Sequence, residues 1–177
     1  MDIKDLRSRL GYVPQKGVLF SGTIESNLRF GAQEASMEEL NKAADIAQAS
    51  EFIAAKDDGM QSPIAQGGTN VSGGQKQRLS IARAVAKRPE IYIFDDSFSA
   101  LDYKTDAALR QALKKETSEA TTLIVAQRIS TILHADKIMV LDNGNVVGSG
   151  THKELLKSCE VYQQIAKSQL SKEELEA

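Results

Sequence analysis

The sequence lacks several features that mark particular classes of protein. One cysteine, Cys159, stands among 177 residues, so an internal disulfide is excluded and this lone thiol is expected to be inert packing. The chain has no apolar run near the ~18–20 residues that cross a bilayer. Residues 1–9 are charged and lack the apolar core of a signal peptide. A role at a membrane would therefore need a span from another segment or chain.

Two further absences concern ligands. The formal net charge of −2 gives no general attraction to nucleic acid, so we expect no nucleic-acid partner. The pattern Gly-x-x-x-x-Gly-Lys-Ser/Thr, the principal phosphate cradle of many nucleotide-binding proteins, does not occur. The composition is otherwise that of an ordinary globular protein, 41% hydrophobic and 26% charged, and the length suffices for one domain with its own core.

Strand–helix alternation in the second half of the sequence predicts an α/β fold with a mainly parallel sheet. The continuous apolar run at residues 91–95 is typical of a strand buried on both faces of such a sheet. Residues 122–126 form another apolar strand. Asn143-Gly144 joins two shorter strands and is a strong signal for a tight hairpin.

The first half of the sequence is dominated by helical patterns. Residues 21–87 predict an almost wholly helical segment, interrupted by a polar, Gly-rich loop at residues 57–70. Ser36-x-x-Glu39 is a capping box ahead of an apolar helical stripe, and a further helix begins after Ser72. We expect a helical subdomain on one side of the sheet.

A turn that opens a helix carries the first candidate site. It consists of Ser72, Gly73, Gly74 and Gln75. The two glycines let the backbone approach a ligand, and the free N–H groups at the helix start attract an anion such as phosphate. Taken by itself, the same turn also suits a plain capped helix start.

A strand that ends in two carboxylates carries the second candidate site. Asp95 and Asp96 close the apolar run, where they can hold a metal ion and a water beside a phosphate. Together with the turn at residues 72–75, this arrangement points to nucleotide hydrolysis.

With their neighbours, these motifs closely resemble the nucleotide-binding domain of ATP-binding cassette (ABC) transporters, specifically the exporter type. The resemblance covers nearly the whole chain, in the family's order and spacing. Its parts are the Q-loop at residues 11–15, the segment after it at 19–24, the signature at 71–75, the Walker B strand at 91–95, the D-loop at 99–102 and the switch loop at 122–128.

The resemblance implies a role for each matching residue. Asp95 would hold Mg²⁺, and Gln15 would contact Mg²⁺ or the attacking water and report the nucleotide state to the membrane domain. The remaining positions would bind ATP, partly across a dimer, and they are Ser72, Gly73, Gly74, Gln75 and Asp102.

The resemblance also implies cofactors and partners. Such domains form head-to-tail dimers that sandwich two ATP molecules, and each site takes its signature from the opposite subunit. Asp102 would lie at that dimer seam, although it also suits the N-cap of the helix that follows. The implied cofactors are ATP and Mg²⁺. The implied partners are a second nucleotide-binding domain and the transmembrane domain of the same transporter, at the cytoplasmic face of the cell membrane.

Three positions depart from the family pattern. Asp96 replaces the Glu that orients or deprotonates water, and its shorter side chain draws the carboxylate back by roughly 1 Å. Gln127 replaces the switch His, so this second catalytic position can bond a phosphate but carries no proton or positive charge. Gln66 stands where exporters often have Glu. We therefore expect the degenerate half of a heterodimeric, multidrug-exporter-like transporter, which supplies an intact signature to its partner.

The family's Walker A loop lies upstream of the Q-loop, and this chain starts just before the Q-loop strand. We therefore expect part of a RecA-like P-loop NTPase core that alone neither binds ATP tightly nor hydrolyses it. The expected parts are the Q-loop strand and Q-loop at residues 1–20, the helical subdomain with the signature at 21–87, the rest of the core at 88–170, and a frayed tail at 171–177.

Two other functions stay open at this point. A soluble ABC protein of the DNA-repair or translation type would share the ATP-binding motifs, although residues 19–24 and 129–136 resemble transporter domains. A non-catalytic interaction module would keep the helical subdomain for docking on a membrane domain, with no ATP chemistry of its own.

Overall fold

A computed structural model describes residues 2–171 of the chain. Its helices are α1 (Ile3–Ser8), α2 (Ile24–Arg29), α3 (Met37–Ile46), α4 (Ser50–Ala54), α5 (Gly73–Ala86), α6 (Tyr103–Glu116), α7 (Ile129–Ile132), α8 (His152–Ser158) and α9 (Glu160–Gln169). Its strands are β1 (Leu10–Val13), β2 (Gly22–Thr23), β3 (Pro63–Ile64), β4 (Ile91–Asp95), β5 (Thr121–Val125), β6 (Ile138–Asp142) and β7 (Asn145–Gly150). Of the predicted frayed tail, residues 172–177 lie outside the described residues.

The chain divides into two compact units, Met1–Val125 and Ala126–Ala177. The first unit contains a parallel sheet with the strand order β1-β4-β5. Val13 pairs with Phe94, and Phe94 with Ile124, so the carboxyl ends of all three strands meet at one edge. This sheet with its helices confirms the predicted α/β class with a parallel sheet. The boundaries predicted at residues 20, 87 and 170 remain predictions.

The core of the first unit joins one face of the sheet to the helices. Tyr92 and Phe94 of β4 are buried on this face, with their rings 5.9 Å apart. Leu79 of α5 and Leu109 of α6 belong to the same buried cluster and are fully shielded from solvent. Truncating such a leucine to Ala removes about 2–5 kcal/mol of stability, so α5 and α6 are fixed firmly to the sheet.

The prediction that the strand at residues 91–95 is buried on both faces is wrong. Its burial alternates, with Tyr92 and Phe94 buried and Ile93 only half-buried. On the strands that flank Ile93, Tyr12 is 55% exposed and Leu123 is 53% exposed. The apolar run therefore predicted the strand correctly but not how many of its faces are buried. β-branched residues are also common in strands that are buried on one face only.

The segment at residues 21–87 is less helical than predicted. The region expected to be a loop holds two short 3₁₀ turns, Gly59–Gln61 and Gln66–Gly68, and the strand β3, which pairs antiparallel with β2. Asn70 shapes this region, because its side chain donates to the carbonyl of Pro63 (2.8 Å) and accepts from the N–H of Ala65 (2.9 Å). Two-residue strands carry no periodic pattern, so the sequence could not reveal them.

The second unit is built around the β6–β7 hairpin and the helices α8 and α9. Asn143 and Gly144 form the predicted turn, with φ angles of 47° and 78°. The core includes Tyr162 and Cys159, so the lone cysteine is packed as expected. No helix within residues 2–171 combines the length and apolar character needed to span a membrane.

Candidate functional site

The turn at residues 72–75 is a fully formed helix N-cap. The Ser72 side chain accepts a hydrogen bond from the N–H of Gln75 (3.2 Å), and the Gln75 side chain accepts one from the N–H of Ser72 (3.1 Å). This reciprocal pair is the capping box of α5. The interpretation of the turn as a capped helix start is therefore confirmed, with the Ser72 hydroxyl as the cap of α5.

The two glycines of the turn have different surroundings. A Cβ added at Gly73 would meet nothing within 4 Å, so this position faces open space. A Cβ added at Gly74 would lie 3.4 Å from the carbonyl oxygen of Ala100. As the first two residues of α5, both carry N–H groups that have no partner within the helix. The turn thus offers backbone donors at the positive end of a 14-residue helix, beside the segment at residues 99–102.

Asp102 is the N-cap of α6. Its carboxylate accepts a hydrogen bond of 3.0 Å from the N–H of Thr105. Hydrogen bonds from Thr105 lower the pKa of the Asp102 carboxyl, so the group is ionised at neutral pH. The N-cap role is confirmed, whereas the predicted place of Asp102 at a dimer seam remains a prediction.

The second group of candidate residues lies at the carboxyl edge of the sheet. Gln15 follows β1, and its side-chain amide donates to the carboxylate of Asp96 across 3.3 Å, although 81 residues separate the two in sequence. Asp95 ends β4, and its carboxylate accepts a hydrogen bond of 3.1 Å from the hydroxyl of Tyr12. Three predicted site residues, Gln15, Asp95 and Asp96, are thereby brought to one edge.

Tyr12 is a site neighbour that the sequence analysis missed. The pKa of the Tyr12 hydroxyl is raised, mainly by partial desolvation. The hydrogen bond to Asp95 and the negative charge of Asp95 contribute less in the same direction. The hydroxyl therefore stays protonated at neutral pH and donates to Asp95. The signal in the sequence was the alternation along β1, which places Tyr12 on the face opposite to Val13 and beside the last residues of β4.

Asp96 adopts a backbone conformation that few side chains favour. Its φ is 45°, in the left-handed region, and its N–H donates to the carbonyl of Val125 (2.9 Å). Asp is among the non-glycine residues most often found there. Backbone strain of this kind concentrates at functional sites, where it aims a side chain.

The loop that carries Gln15 is held by two buried side chains that the sequence analysis also missed. Ser97 donates from its hydroxyl to the carbonyl of Val13 (2.8 Å). Gln77 of α5 accepts from the N–H of Gly17 (3.0 Å) and donates to the carbonyl of Pro14 (3.2 Å). A polar residue within the apolar stripe of a helix was the available signal for Gln77.

Gln127 lies in the second unit and its side chain is exposed. Its backbone carbonyl accepts a hydrogen bond of 2.8 Å from the side chain of Gln169, which also accepts from the N–H of Ile129 (2.8 Å). Gln169 thus ties α9 to the segment that precedes α7. The predicted role of Gln127 as the switch residue remains a prediction.

The donors at the sheet edge fit Mg²⁺ bound together with a nucleotide. Asp95 and Asp96 supply carboxylate oxygens and Gln15 an amide oxygen, which are hard donors suited to this ion. Within residues 2–171, no group of three or more His, Cys, Asp or Glu side chains is placed to hold a metal ion by itself. Nucleotide-bound Mg²⁺ needs only one or two carboxylates, because phosphates and waters complete its coordination.

The chain is similar to known proteins over most of its length. The family model described as ABC transporter matches residues 1–99, more than half of the chain. An uncharacterized ABC transporter ATP-binding protein of Mycobacterium tuberculosis is 49% identical over 167 residues, covering 93% of this chain and 28% of that protein. A Staphylococcus aureus protein described as a multidrug export ATP-binding/permease protein is 43% identical over 160 residues, covering 90% of this chain and 28% of that protein.

A solved structure described as a bacterial Atm1-family ABC exporter with ATP bound is similar in fold and sequence. It is 38% identical, with a TM-score of 0.90, and the match covers 93% of this chain and 29% of that one. The chain thus spans less than a third of the length of these proteins, and the similarity concerns that part alone.

Proposed function

Because the chain belongs to the ABC transporter family, we propose that it forms part of the ATP-binding domain of an exporter. This domain would couple ATP binding and hydrolysis to transport, at the cytoplasmic face of a membrane. The contact between the Gln15 amide and the Asp96 carboxylate, beside Asp95 at the edge of the sheet, is the observation that carries the proposal. It brings together, from distant parts of the sequence, side chains suited to bind the Mg²⁺ of a nucleotide.

In this proposal each residue at the edge has its own task. Asp95 holds the Mg²⁺ that neutralises phosphate charge when the nucleotide is bound. Tyr12 donates to one oxygen of Asp95 and so restricts the orientation of that carboxylate. Gln15 bonds Asp96 at 3.3 Å, which keeps its amide within reach of a water or ligand oxygen at the same edge.

We further propose that the chain's own site is degenerate. Asp96 takes the place of the longer Glu, so its carboxylate stops short of the water that a catalytic base must contact. Gln127 takes the place of the switch His, and an amide neither carries a positive charge nor accepts a proton in this role. The site would therefore bind nucleotide in the intact transporter but turn it over slowly.

The turn at residues 72–75 would serve the active site of a partner domain. Its capping box is intact, Gly73 faces open space, and its N–H groups stand at the positive end of α5. These features suit a γ-phosphate presented by a second nucleotide-binding domain. The partner would then supply a complete catalytic set, and the functional transporter would be a heterodimer.

An exposed aromatic pair supports the transmembrane domain as the other partner. Phe20 and Phe30 are 44% and 64% exposed, and their ring centroids are 4.5 Å apart. The Arg83 guanidinium lies 5.2 Å and 5.7 Å from the two ring centroids, and its Nε donates to the carbonyl of Asn27 (2.8 Å). A rigid apolar patch of this kind fits a short helix that projects from a membrane domain. This patch also agrees with the docking function considered in the sequence analysis.

The proposal is tested by ATP hydrolysis in the intact transporter that contains this chain. Ser72→Ala removes a group proposed to act in the partner's site, and we expect total turnover to fall at least about tenfold. Ser36→Ala is the matched control, because it removes the same type of capping box from α3. Equal small losses in both variants would show that residues 72–75 only cap a helix. A transporter that hydrolyses no ATP would contradict the proposed function as a whole.

A further inference from the structure

A single buried side chain spans both ends of the loop that carries Gln15. Gln77 lies on the second turn of α5 and is 2% exposed. Its amide oxygen accepts from the N–H of Gly17 (3.0 Å), and its amide nitrogen donates to the carbonyl of Pro14 (3.2 Å). The two bonds therefore enclose residues 15 and 16 between them.

Both polar ends of this buried amide are satisfied by the loop itself. A buried amide without partners is costly, and an apolar side chain at this position of α5 would pack without any such requirement. The loop in turn depends on Gln77, because the N–H of Gly17 and the carbonyl of Pro14 find their partner there. Each element thus fixes the other.

The loop also lies directly against the backbone of α5. A Cβ added at Gly17 would stand 2.9 Å from the carbonyl oxygen of Lys76, closer than real Cβ atoms come. On the other side, the buried hydroxyl of Ser97 donates to the carbonyl of Val13 (2.8 Å). Residues 14–17 are therefore held between α5 and the segment that follows β4.

We propose that Gln77 is a positioning residue that places the Gln15 amide against Asp96 and ties it to α5. The same helix begins at Gly73, four residues before Gln77, and a helix of 14 residues transmits displacement as a rigid body. Movement of Gln15 when the nucleotide changes would therefore move the N–H groups at the start of α5. Through Gln77, the chain's own site would be coupled to the site in the partner domain.

This inference rests on the proposed function for the task of Gln15. The two hydrogen bonds that link Gln77 to Pro14 and Gly17, here called the clamp, do not depend on that function. The clamp is tested by NMR hydrogen exchange of the Gly17 amide in the 177-residue chain. Gln77→Met keeps the side-chain length but removes both hydrogen bonds, so we expect exchange at Gly17 to accelerate at least about tenfold. The Gln15 side-chain amide resonances should shift as well, because the loop no longer holds them against Asp96.

Two further variants make this result specific. Thr117→Ala is the control, since Thr117 is also a buried polar residue but its hydroxyl bonds the carbonyl of Leu113 (2.9 Å) at the end of α6, away from the loop. It should leave Gly17 exchange within about twofold of wild type. Gly17→Ala keeps Gln77 but pushes the loop away from Lys76, so it should shift the Gln15 amide resonances like Gln77→Met. Unchanged Gly17 exchange in Gln77→Met, together with unchanged Gln15 resonances in Gln77→Met and Gly17→Ala, would overturn the clamp.

The coupling is tested by a double-mutant cycle in the intact transporter. We expect Gln77→Met to lower ATP turnover at least about fivefold with little change in KM. If Gln77 acts through Gln15, adding Gln77→Met to Gln15→Ala lowers turnover by less than about twofold. Fully additive losses, or no loss from Gln77→Met, would overturn the positioning role. A wild-type transporter without ATP turnover would refute the proposed function instead, and Gly17 exchange would still decide on the clamp.

Discussion

The hydroxyl of Ser97 donates a hydrogen bond of 2.8 Å to the carbonyl of Val13, across the ends of two neighbouring strands. Ser97 and Val13 are both completely buried. The bond joins the residue after Asp96 to the strand that leads into Gln15. It therefore fixes the position of Gln15 relative to Asp96.

Ser97→Ala should destabilise the chain by about 1 kcal/mol, because it removes the buried hydrogen bond from the Ser97 hydroxyl to the carbonyl of Val13. Urea unfolding followed by circular dichroism measures this loss as a lower midpoint at unchanged slope. The matched control is Ser8→Ala, since Ser8 is exposed and its hydroxyl bonds only the nearby carbonyl of Asp5 (2.6 Å). An equally small effect in both variants would mean that the Ser97 hydrogen bond contributes little to the stability of the folded chain.

Stability should fall as the pH drops below neutrality, because His152 is held neutral in the folded second unit. Its Nδ1 lies 2.7 Å from the hydroxyl of Tyr162, and the His152 side chain is buried. Burial lowers the pKa of His152 below its ordinary value of 6.5, and the charges of His134 and Lys153 act in the same direction. The unfolded chain then binds more protons, so the stabilisation is complete above pH 6.5 and is lost as the pH falls towards the folded-state pKa.

The measurement is the urea midpoint at pH 7.5 and at pH 5.5. We expect a lower midpoint at the acid pH in wild type and a smaller difference in His152→Gln, which has no group that titrates in this range. His134→Gln is the control, because His134 is exposed and makes only a secondary contribution. A wild-type difference that survives in His152→Gln would assign the pH dependence to other groups.

Local signals in the sequence predicted local structure well. The capping box at Ser36 and Glu39, the Asn143-Gly144 turn and the N-cap role of Asp102 were all confirmed. Each depends on a few consecutive residues whose hydrogen bonds close within the same turn. Such local hydrogen bonds can be predicted from neighbouring residues in the sequence, without knowing how the chain packs.

Contacts between distant segments were not predictable in the same way. Gln77, Tyr12 and Ser97 were missed as parts of the site because their partners lie 60 or more residues away in sequence. The strands β2 and β3 were missed for the same reason, since two-residue strands are defined only by their pairing. The association of Gln15 with Asp95 and Asp96 came from the family resemblance, and no property of the residues alone required it.

Mg-ATP should not bind measurably to the 177-residue chain at millimolar nucleotide. The sequence contains no Gly-x-x-x-x-Gly-Lys-Ser/Thr loop, and that loop provides the dominant phosphate contacts in nucleotide-binding proteins of this kind. The two carboxylates reach a nucleotide only through its Mg²⁺, so they do not replace the direct phosphate contacts of that loop. Isothermal titration calorimetry is the direct measurement, and binding in the micromolar range would reveal a phosphate site outside the residues considered above.

Restoring the two departing positions should accelerate ATP hydrolysis in the intact transporter. Asp96→Glu returns the longer carboxylate and Gln127→His returns a group that can carry charge, so we expect turnover to rise at least about tenfold. The φ of 45° at position 96 favours Asp over Glu, so the folded state of the variant is checked first by its unfolding midpoint. Asp96→Asn with Gln127→His is the control without a carboxylate, and it should show no gain. Unchanged turnover in the Glu–His variant would remove the support for a degenerate site, because the short carboxylate and the missing imidazole would then not be what limits the rate.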